Sequence, residues 1–197
     1  IILTDIGKLK DAEFSYRKAI ELKTDFAEAH FNLGNVLNDL GKLKDAELYT
    51  RKAIELKPDF VDAHQNLGTI LKDLGKLQEA EVFTRKAIQL KPDYAAAHYN
   101  LGNILRDLGS LKDAELFTRK AIEINPGFAD AHSNLGVILI DLGELQEAES
   151  SLRKAIKLNP DLADAHSSLA KILILLGKLH ELILSSQSTL ESKSINQ

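Results

Sequence analysis

A 34-residue period runs through almost the whole chain and limits its fold more than any other feature. The period is marked by five equivalent histidines, His30, His64, His98, His132 and His166. All four prolines follow the same spacing, at Pro58, Pro92, Pro126 and Pro160. A fixed period of this length is typical of a repeat array, in which each unit buries its apolar residues against its neighbours.

The segment 61–94 shows one unit in full, and its apolar pattern predicts two helices. Apolar residues from Ala63 to Leu74 fall at helical spacing, and a second apolar stripe runs from Leu77 to Leu90. Gly75 separates the stripes, which predicts that the first helix ends on a left-handed glycine. Pro92 ends the second helix, because a residue before proline is disfavoured in helical geometry.

This unit resembles the tetratricopeptide repeat, a 34-residue helix-turn-helix with the pattern W-x2-L-G-x2-Y…A-x3-F…P. The matching residues are His64, Leu67, Gly68, Leu71, Ala80, Thr84, Ala87 and Pro92. Histidine replaces tryptophan, leucine replaces tyrosine, and the expected aromatic lies one place early, at Phe83. The resemblance, which extends to bacterial proteins of this type, implies an all-α fold: a right-handed α-solenoid of antiparallel helix pairs.

We expect a single array over residues 1–197. It comprises a partial repeat at 1–26, complete repeats at 27–60, 61–94, 95–128 and 129–162, and a degenerate C-terminal repeat or cap at 163–197. In the partial repeat, Gly7 is expected to form the turn between the helices. Because the sequence lacks methionine and begins inside a first helix, we expect it to be a fragment of a longer protein.

An aromatic residue recurs on the second helix of the early complete repeats, at Tyr49, Phe83 and Phe117. We expect each ring to pack on the following repeat. Serine replaces the aromatic at position 151, which suits the end of a stack, where an exposed aromatic row would favour aggregation. Ile174 and Leu175, which replace polar residues of earlier repeats, predict apolar surface near the C-terminal end.

Composition excludes several classes of protein. The chain has no cysteine, which excludes disulfides, thiol catalysis and cysteine-ligated zinc. No apolar run approaches the ~20 residues that a membrane span needs, and no signal peptide is apparent. The formal charge of −4 argues against nucleic acid as the main partner. We therefore expect a cytoplasmic protein without membrane insertion.

The periodic histidines do not predict a metal site. Equivalent atoms of stacked helices lie about 10 Å apart, whereas zinc needs its ligands about 2 Å from one point. Each histidine replaces a buried tryptophan of the family, so we expect a structural role. The titratable residues follow the repeat and form no separate cluster. We therefore predict no catalytic residue, metal ligand or cofactor, and this segment is not expected to be an enzyme.

An asparagine precedes the Leu-Gly pair in every complete repeat, at Asn32, Asn66, Asn100 and Asn134. Its side chain carries one acceptor and two donors, which suits a peptide backbone. The pattern A-H-x-N-L-G is similar to the superhelical arm of O-linked N-acetylglucosamine transferases, which implies that these asparagines hold peptide on the concave face of the solenoid. Bonding between repeats, or a consensus habit of the family, is the alternative.

Further candidate peptide contacts lie on the same predicted face. Asn35 and Asn103 lie one helical turn beyond the asparagine row. Phe31, Gln65 and Tyr99 occupy a position that differs between otherwise similar repeats. Since packing does not dictate a variable position, we expect specificity there.

Two rows of charge complete the pattern. Asp73 and Asp107 lie near the ends of first helices, where the helix dipole disfavours a negative charge. Either a nearby lysine pairs with each, or the groove is acidic. Lys76 follows Asp73 by three residues, but Ser110 follows Asp107. On the second helices, each arginine of an Arg-Lys pair follows a glutamate by four. This row is either a self-paired solvent-facing surface or a site for an anionic partner.

These observations predict a non-catalytic module that binds an extended peptide or a partner helix in a concave groove. An alternative is the substrate-recognition arm of a larger transferase, resembling a glycosyltransferase, whose catalytic domain lies elsewhere in the protein. A third hypothesis is self-association through the ends of the array. The partner is expected to be a protein or peptide in each case.

Overall fold

The computed structural model describes residues 2–177, with side chains from residue 7 onward, and this part is all helical with no strand. The helices are α1 (Ile2–Leu22), α2 (Ala27–Asp39), α3 (Leu43–Leu56), α4 (Val61–Asp73), α5 (Leu77–Leu90), α6 (Ala95–Asp107), α7 (Leu111–Ile124), α8 (Ala129–Asp141) and α9 (Leu145–Leu158). A further helix, α10, occupies 163–177. The predicted all-α class is confirmed. The remainder of the degenerate repeat lies outside the described residues.

The chain divides into two compact units, Ile1–Ile124 and Asn125–Gln197. In the first unit α2 pairs with α3, α4 with α5, and α6 with α7, while α1 packs on α2. We call α2, α4, α6 and α8 the first helices and their partners the second helices. Within the first unit α4 contacts both α2 and α6, so these first helices lie side by side. In the second unit α8 pairs with α9.

Glycine turns connect the two helices of each pair, as predicted. Gly75 has a φ of 75° and follows the end of α4. Its amide donates to the Lys72 carbonyl at 2.9 Å, and the Lys76 amide donates to the Leu71 carbonyl at 2.8 Å. These two bonds define the Schellman motif, which satisfies the last carbonyls of the helix.

The expected turn at Gly7 is wrong, because α1 continues through it from Ile2 to Leu22. Glycine permits helical as well as left-handed geometry, so the residue type alone does not fix a turn. In the described part, a positive φ is found at Gly41, Gly75, Gly109 and Gly143, whereas Gly7 lies inside α1.

Within the first unit, buried clusters tie neighbouring repeats together. Leu67 and Leu71 of α4 pack with Ala80 of α5 and with Ile104 of α6. An equivalent cluster joins Leu33 of α2 to residues of α3 and α4. Because each cluster takes a residue from the following first helix, the free energy of unfolding is shared between neighbouring repeats.

The second-helix aromatics contact the preceding repeat as well as clusters shared with the following one. The Arg17 guanidinium of α1 lies 5.4 Å from the centroid of the Tyr49 ring, and Arg51 of α3 lies 5.1 Å from that of Phe83. The Tyr49 hydroxyl also accepts a hydrogen bond from Arg17 at 2.8 Å. Phe83 packs against the buried cluster that includes Ile104 of the following repeat, in the expected direction. The contacts with the preceding repeat were not predicted.

The basic row is paired with glutamates, as its spacing predicted. Each arginine lies within 2.8–2.9 Å of the glutamate one turn earlier, in the pairs Glu13–Arg17, Glu47–Arg51, Glu81–Arg85, Glu115–Arg119 and Glu149–Arg153. Glutamates of α1 and α3 also bond the turn lysine of the next pair, with Lys42 to Glu13 and Lys76 to Glu47 both at 2.8 Å. These networks favour the interpretation that the basic row is a self-paired, solvent-facing surface.

Glu13 provides a test of this network. The hydrogen bond from Lys42, and then that from Arg17, lower the pKa of Glu13. Because the folded pKa lies below the unfolded value of about 4.3, the stabilisation is present above pH 4.3 and is lost as pH falls through the folded pKa. We expect Glu13→Gln to lower the unfolding free energy at pH 7 by ~1 kcal/mol. That difference should shrink toward pH 3 in urea titrations, and a constant difference would contradict the assignment.

The described C-terminal part carries apolar surface where it was expected. Ile174 and Leu175 of α10 are both exposed, as is Leu173 beside them. At the positions of Ile174 and Leu175, α2, α4 and α6 carry polar pairs such as Lys72 and Asp73, whereas α8 carries Ile140 and Asp141. The predicted apolar surface is thus present on this helix.

Candidate functional site

Asn32, Asn66 and Asn100 lie half-buried on α2, α4 and α6. Each directly precedes a fully buried leucine, such as Leu67 after Asn66. Because adjacent residues of a helix point about 100° apart, the asparagine lies at the border between the core and solvent. The surface of α2, α4 and α6 that carries these three residues is named the first-helix face.

Two of these asparagines bond to the preceding repeat. The Asn66 Nδ2 group donates to Asn35 Oδ1 at 2.6 Å, and Asn100 Nδ2 donates to Thr69 Oγ1 at 3.1 Å. Bonding between repeats, one of the two sequence-based alternatives, is therefore present. Each bond uses one N–H of the amide and leaves its carbonyl oxygen and second N–H outside that contact.

A small polar cleft of about 90 Å³ lies between α2 and α4 beside this bond. We call it the amide cleft, and it is lined by Asn35, Asn38, Asn66, Thr69 and Ile70. The Asn38 Oδ1 atom is buried and has no hydrogen-bond partner among the described residues. A buried acceptor without a donor costs free energy, so this atom marks a place where a donor would bind favourably.

Aromatic side chains border the first-helix face at the turns that precede α4 and α6. The Phe31 ring packs against Phe60 at a centroid distance of 4.7 Å. The Tyr94 hydroxyl donates to Asp62 Oδ1 at 3.1 Å, and burial together with the Asp62 charge raises the pKa of Tyr94. Tyr99 is half-buried on α6. Phe31 thus packs on the turn that leads into α4, and both rings remain partly exposed.

Three of the other predicted contacts differ in exposure. Gln65 is only 5% exposed, because its position on α4 faces the neighbouring helices, and its Oε1 atom is buried without a partner among the described residues. Asn134 is 7% exposed and belongs to the second unit. Asn103 is half-buried on α6. Gln65 and Asn134 are thus less accessible to a ligand than the asparagines of the first-helix face.

Asp73 does not pair with Lys76, the lysine three residues on, and Asp107 has Ser110 at that position. Asp73 lies 3.5 Å from Lys72, and Asp107 lies 3.6 Å from Arg106. Lys76 instead bonds Glu47, because the glycine turn directs it toward the preceding second helix. The local-pairing hypothesis therefore holds for both aspartates, although with the adjacent residue as the partner.

The periodic histidines make structural contacts. His64 Nε2 lies 2.8 Å from the Pro58 carbonyl, which connects the start of α4 to the preceding turn. Its ring stacks on Phe83 at a centroid distance of 5.9 Å. Equivalent contacts recur for His30 and His98. Within residues that the structure describes, no group of three or more His, Asp or Glu residues could hold a metal ion.

A family model described as "Tetratricopeptide repeat" matches residues 27–60, 61–94, 95–128 and 129–162. The chain belongs to the tetratricopeptide repeat (TPR) family. A second model, described as "TPR repeat", matches residues 2–41. A search of curated proteins gave no match. TPR repeats are suited to protein–protein interaction, and no helix in the described part is long and apolar enough to cross a membrane.

Solved TPR structures resemble this chain along most of its length. YrrB, described as "a TPR protein with an unusual peptide-binding site", is 29% identical, with a TM-score of 0.69 over 85% of this chain and 86% of that chain. MamA is 27% identical, with a TM-score of 0.72 over 80% and 92%. TTC0263, a thermophilic TPR protein of Thermus thermophilus, is 21% identical over 87% and 94%, with a TM-score of 0.70, and supports the fold alone.

Sequence reasoning missed Asn38 as a member of the site. The available signal was a departure from the TPR repeat: positions one and two repeats later carry Lys72 and Arg106, whereas this repeat has a short neutral amide. Thr69, which occupies the position of Asn35 one repeat later, was not predicted as a site residue either. Its role as the acceptor for Asn100 depends on how successive first helices lie against each other.

Proposed function

We propose that this TPR chain is a non-catalytic interaction module that binds an extended peptide along the first-helix face. The observation that carries the proposal is the pair of oriented amides, Asn66 and Asn100. Each is fixed by a bond to the preceding repeat and half-exposed beside a neighbouring repeat. A fixed amide loses little conformational entropy on binding, so its remaining donor and acceptor are ready for a peptide backbone.

The spacing of the repeats favours one peptide conformation. Equivalent side chains of packed first helices lie about 8–10 Å apart. A polyproline II peptide has three residues per turn and a rise of ~3.1 Å per residue, so the same face of the peptide returns every ~9 Å. A β-strand alternates its side chains every residue and returns every second one. The asparagine row therefore suits the backbone of a polyproline II peptide.

The likeness to YrrB adds support, because that protein is described as having a peptide-binding site and is similar over most of both chains. Phe31 beside Phe60 offers an apolar contact at one border of the face. The alternative, a substrate-recognition arm of a transferase, keeps the same binding role and adds a catalytic domain that the full open reading frame would reveal.

Substitution of the two amides tests the proposal. A random peptide library displayed on phage is selected on the wild-type chain, and the affinity of a selected peptide is measured by calorimetry. We expect the double variant Asn66→Ala/Asn100→Ala to bind that peptide about tenfold more weakly, because two hydrogen bonds contribute ~1–3 kcal/mol together. Circular dichroism establishes whether the variant remains folded.

The matched control is Gln78→Ala, which removes an exposed amide from second helix α5. Its affinity should equal that of the wild type. The variant Asn66→Asp removes the donor to the peptide but keeps the bond between repeats. Asn35 can turn its amide to donate to the new carboxylate. Unchanged affinity in the double variant, or equal losses in it and in Gln78→Ala, would refute the proposed site.

A further inference from the structure

The amide cleft between α2 and α4 lacks a hydrogen-bond donor for one of its acceptor atoms. It measures about 90 Å³, and the buried Asn38 Oδ1 atom beside it has no partner among the described residues. Asn35 Oδ1 already accepts from Asn66 at 2.6 Å, so that bond fixes one wall of the cleft. The remaining amide groups of the lining residues provide further donors and acceptors.

This cleft is particular to one pair of repeats. In the next two repeats, Lys72 and Arg106 replace Asn38, and each lies beside an aspartate, at 3.5 and 3.6 Å respectively. Thr69 replaces Asn35 in the next repeat. A long charged side chain thus stands where α2 carries a short neutral amide. The fold of the repeat does not require an amide at this position, because neighbouring repeats have the same fold with another residue there.

The lining selects the chemistry of the ligand. None of the five lining residues is charged. A carboxylate has no donor for Asn38 Oδ1, and an ammonium ion has no acceptor and would place a charge among neutral groups. A primary carboxamide has two donors and one acceptor on three non-hydrogen atoms. The cleft has room for such a group, since one water molecule needs only about 10–15 Å³ of the same kind of volume.

We propose that the amide cleft binds the carboxamide of an asparagine or glutamine side chain in a peptide that lies on the first-helix face. That a bound peptide supplies this carboxamide rests on the proposed function above. The affinity of the cleft for a carboxamide is a separate property, because it depends only on residues of α2 and α4.

Acetamide, a small primary carboxamide, is a probe for the affinity of the cleft for a carboxamide. In a titration followed by ¹H–¹⁵N NMR, we expect the side-chain amide signals of Asn35, Asn38 and Asn66 to shift in a saturable manner, whereas that of Asn103 stays constant. Acetate at the same concentration should not reproduce the shifts, because it lacks a donor. Asn38→Lys, which introduces the residue found at position 72, should abolish the response.

A selected peptide tests the cleft in the complex. Peptides that bind the wild-type chain should share an asparagine or glutamine at one position, and its replacement by leucine should weaken binding about tenfold. The same replacement should have little effect on the affinity for Asn38→Lys. Gln78→Ala should behave as the wild type with both peptides.

Two results would overturn the assignment. Equal acetamide and acetate responses, or no response of the Asn38 signal, would indicate a cleft that holds only water. Selected peptides without a shared carboxamide would show that the first-helix face binds peptide by other contacts. If the library yields no binder, the proposed function fails, while the acetamide titration still decides whether the cleft binds a carboxamide.

Discussion

Replacing Leu71 with alanine is expected to lower the free energy of unfolding by about 2–5 kcal/mol. Leu71 has 0% exposure and belongs to a buried cluster with Leu67, Ala80 and Ile104, which spans three helices of two neighbouring repeats. Removing its branched end leaves a cavity that the surrounding helices can close only in part. Urea denaturation followed by far-UV circular dichroism measures the loss.

Leu48→Ala is the matched control, because it makes the same chemical change on α3 where the side chain is 63% exposed. Its unfolding free energy should stay within ~0.5 kcal/mol of the wild type. Hydrogen exchange should also quicken most in α4, α5 and α6, since each repeat is stabilised by its neighbours. Equal losses in both variants, or faster exchange confined to α1, would contradict this description of the core.

The fold could be predicted because its determinants are local and recur in every repeat. The glycine at Gly75 fixes a left-handed turn through its own backbone, whatever the neighbouring repeats contain. The apolar spacing on either side then sets which faces of the two helices are buried. Repetition of both signals at one period made the helix-pair architecture predictable without any tertiary information.

Features that depend on a neighbour were harder to predict. Gly7 occupies the repeat position of Gly75, yet α1 runs through it. The contact of Phe83 with the preceding second helix depended on the packing of two second helices, which the repeat period does not reveal. Its ring meets Arg51 of that helix and also borders the cluster that contains Ile104 of the following repeat.

The same distinction between local and neighbour-dependent features applies to the candidate site. The asparagine row was visible as a sequence pattern, but the partners of Asn66 and Asn100 lie 31 residues earlier in the chain and could not be read from it. Gln65 varies between repeats as a ligand contact would, yet the helices around it bury the side chain. The exposure of a side chain depends on the geometry with which helices cross. Variation of a residue between repeats does not reveal that geometry.

The close contact between α4 and α5 should make Gly68 intolerant of even one added methyl group. A Cβ atom at Gly68 would overlap Thr84 Oγ1 and would lie 3.3 Å from the Ala80 carbonyl oxygen. Thr84 is fully buried, and its hydroxyl donates to that same carbonyl at 2.8 Å, so it has little room to move. We expect Gly68→Ala to lower the unfolding free energy by about 1–3 kcal/mol, despite the better helix propensity of alanine.

A second substitution should reverse part of this loss. Thr84→Ala alone removes a buried side chain and should destabilise the protein, but in the Gly68→Ala background it removes the atom that the new methyl group overlaps. We therefore expect the double variant to be more stable than Gly68→Ala, with a coupling energy of ~0.5–3 kcal/mol in a double-mutant cycle. Additive losses would mean that the helices separate to admit the methyl group. The close approach would then be a consequence of glycine rather than the reason that glycine is required.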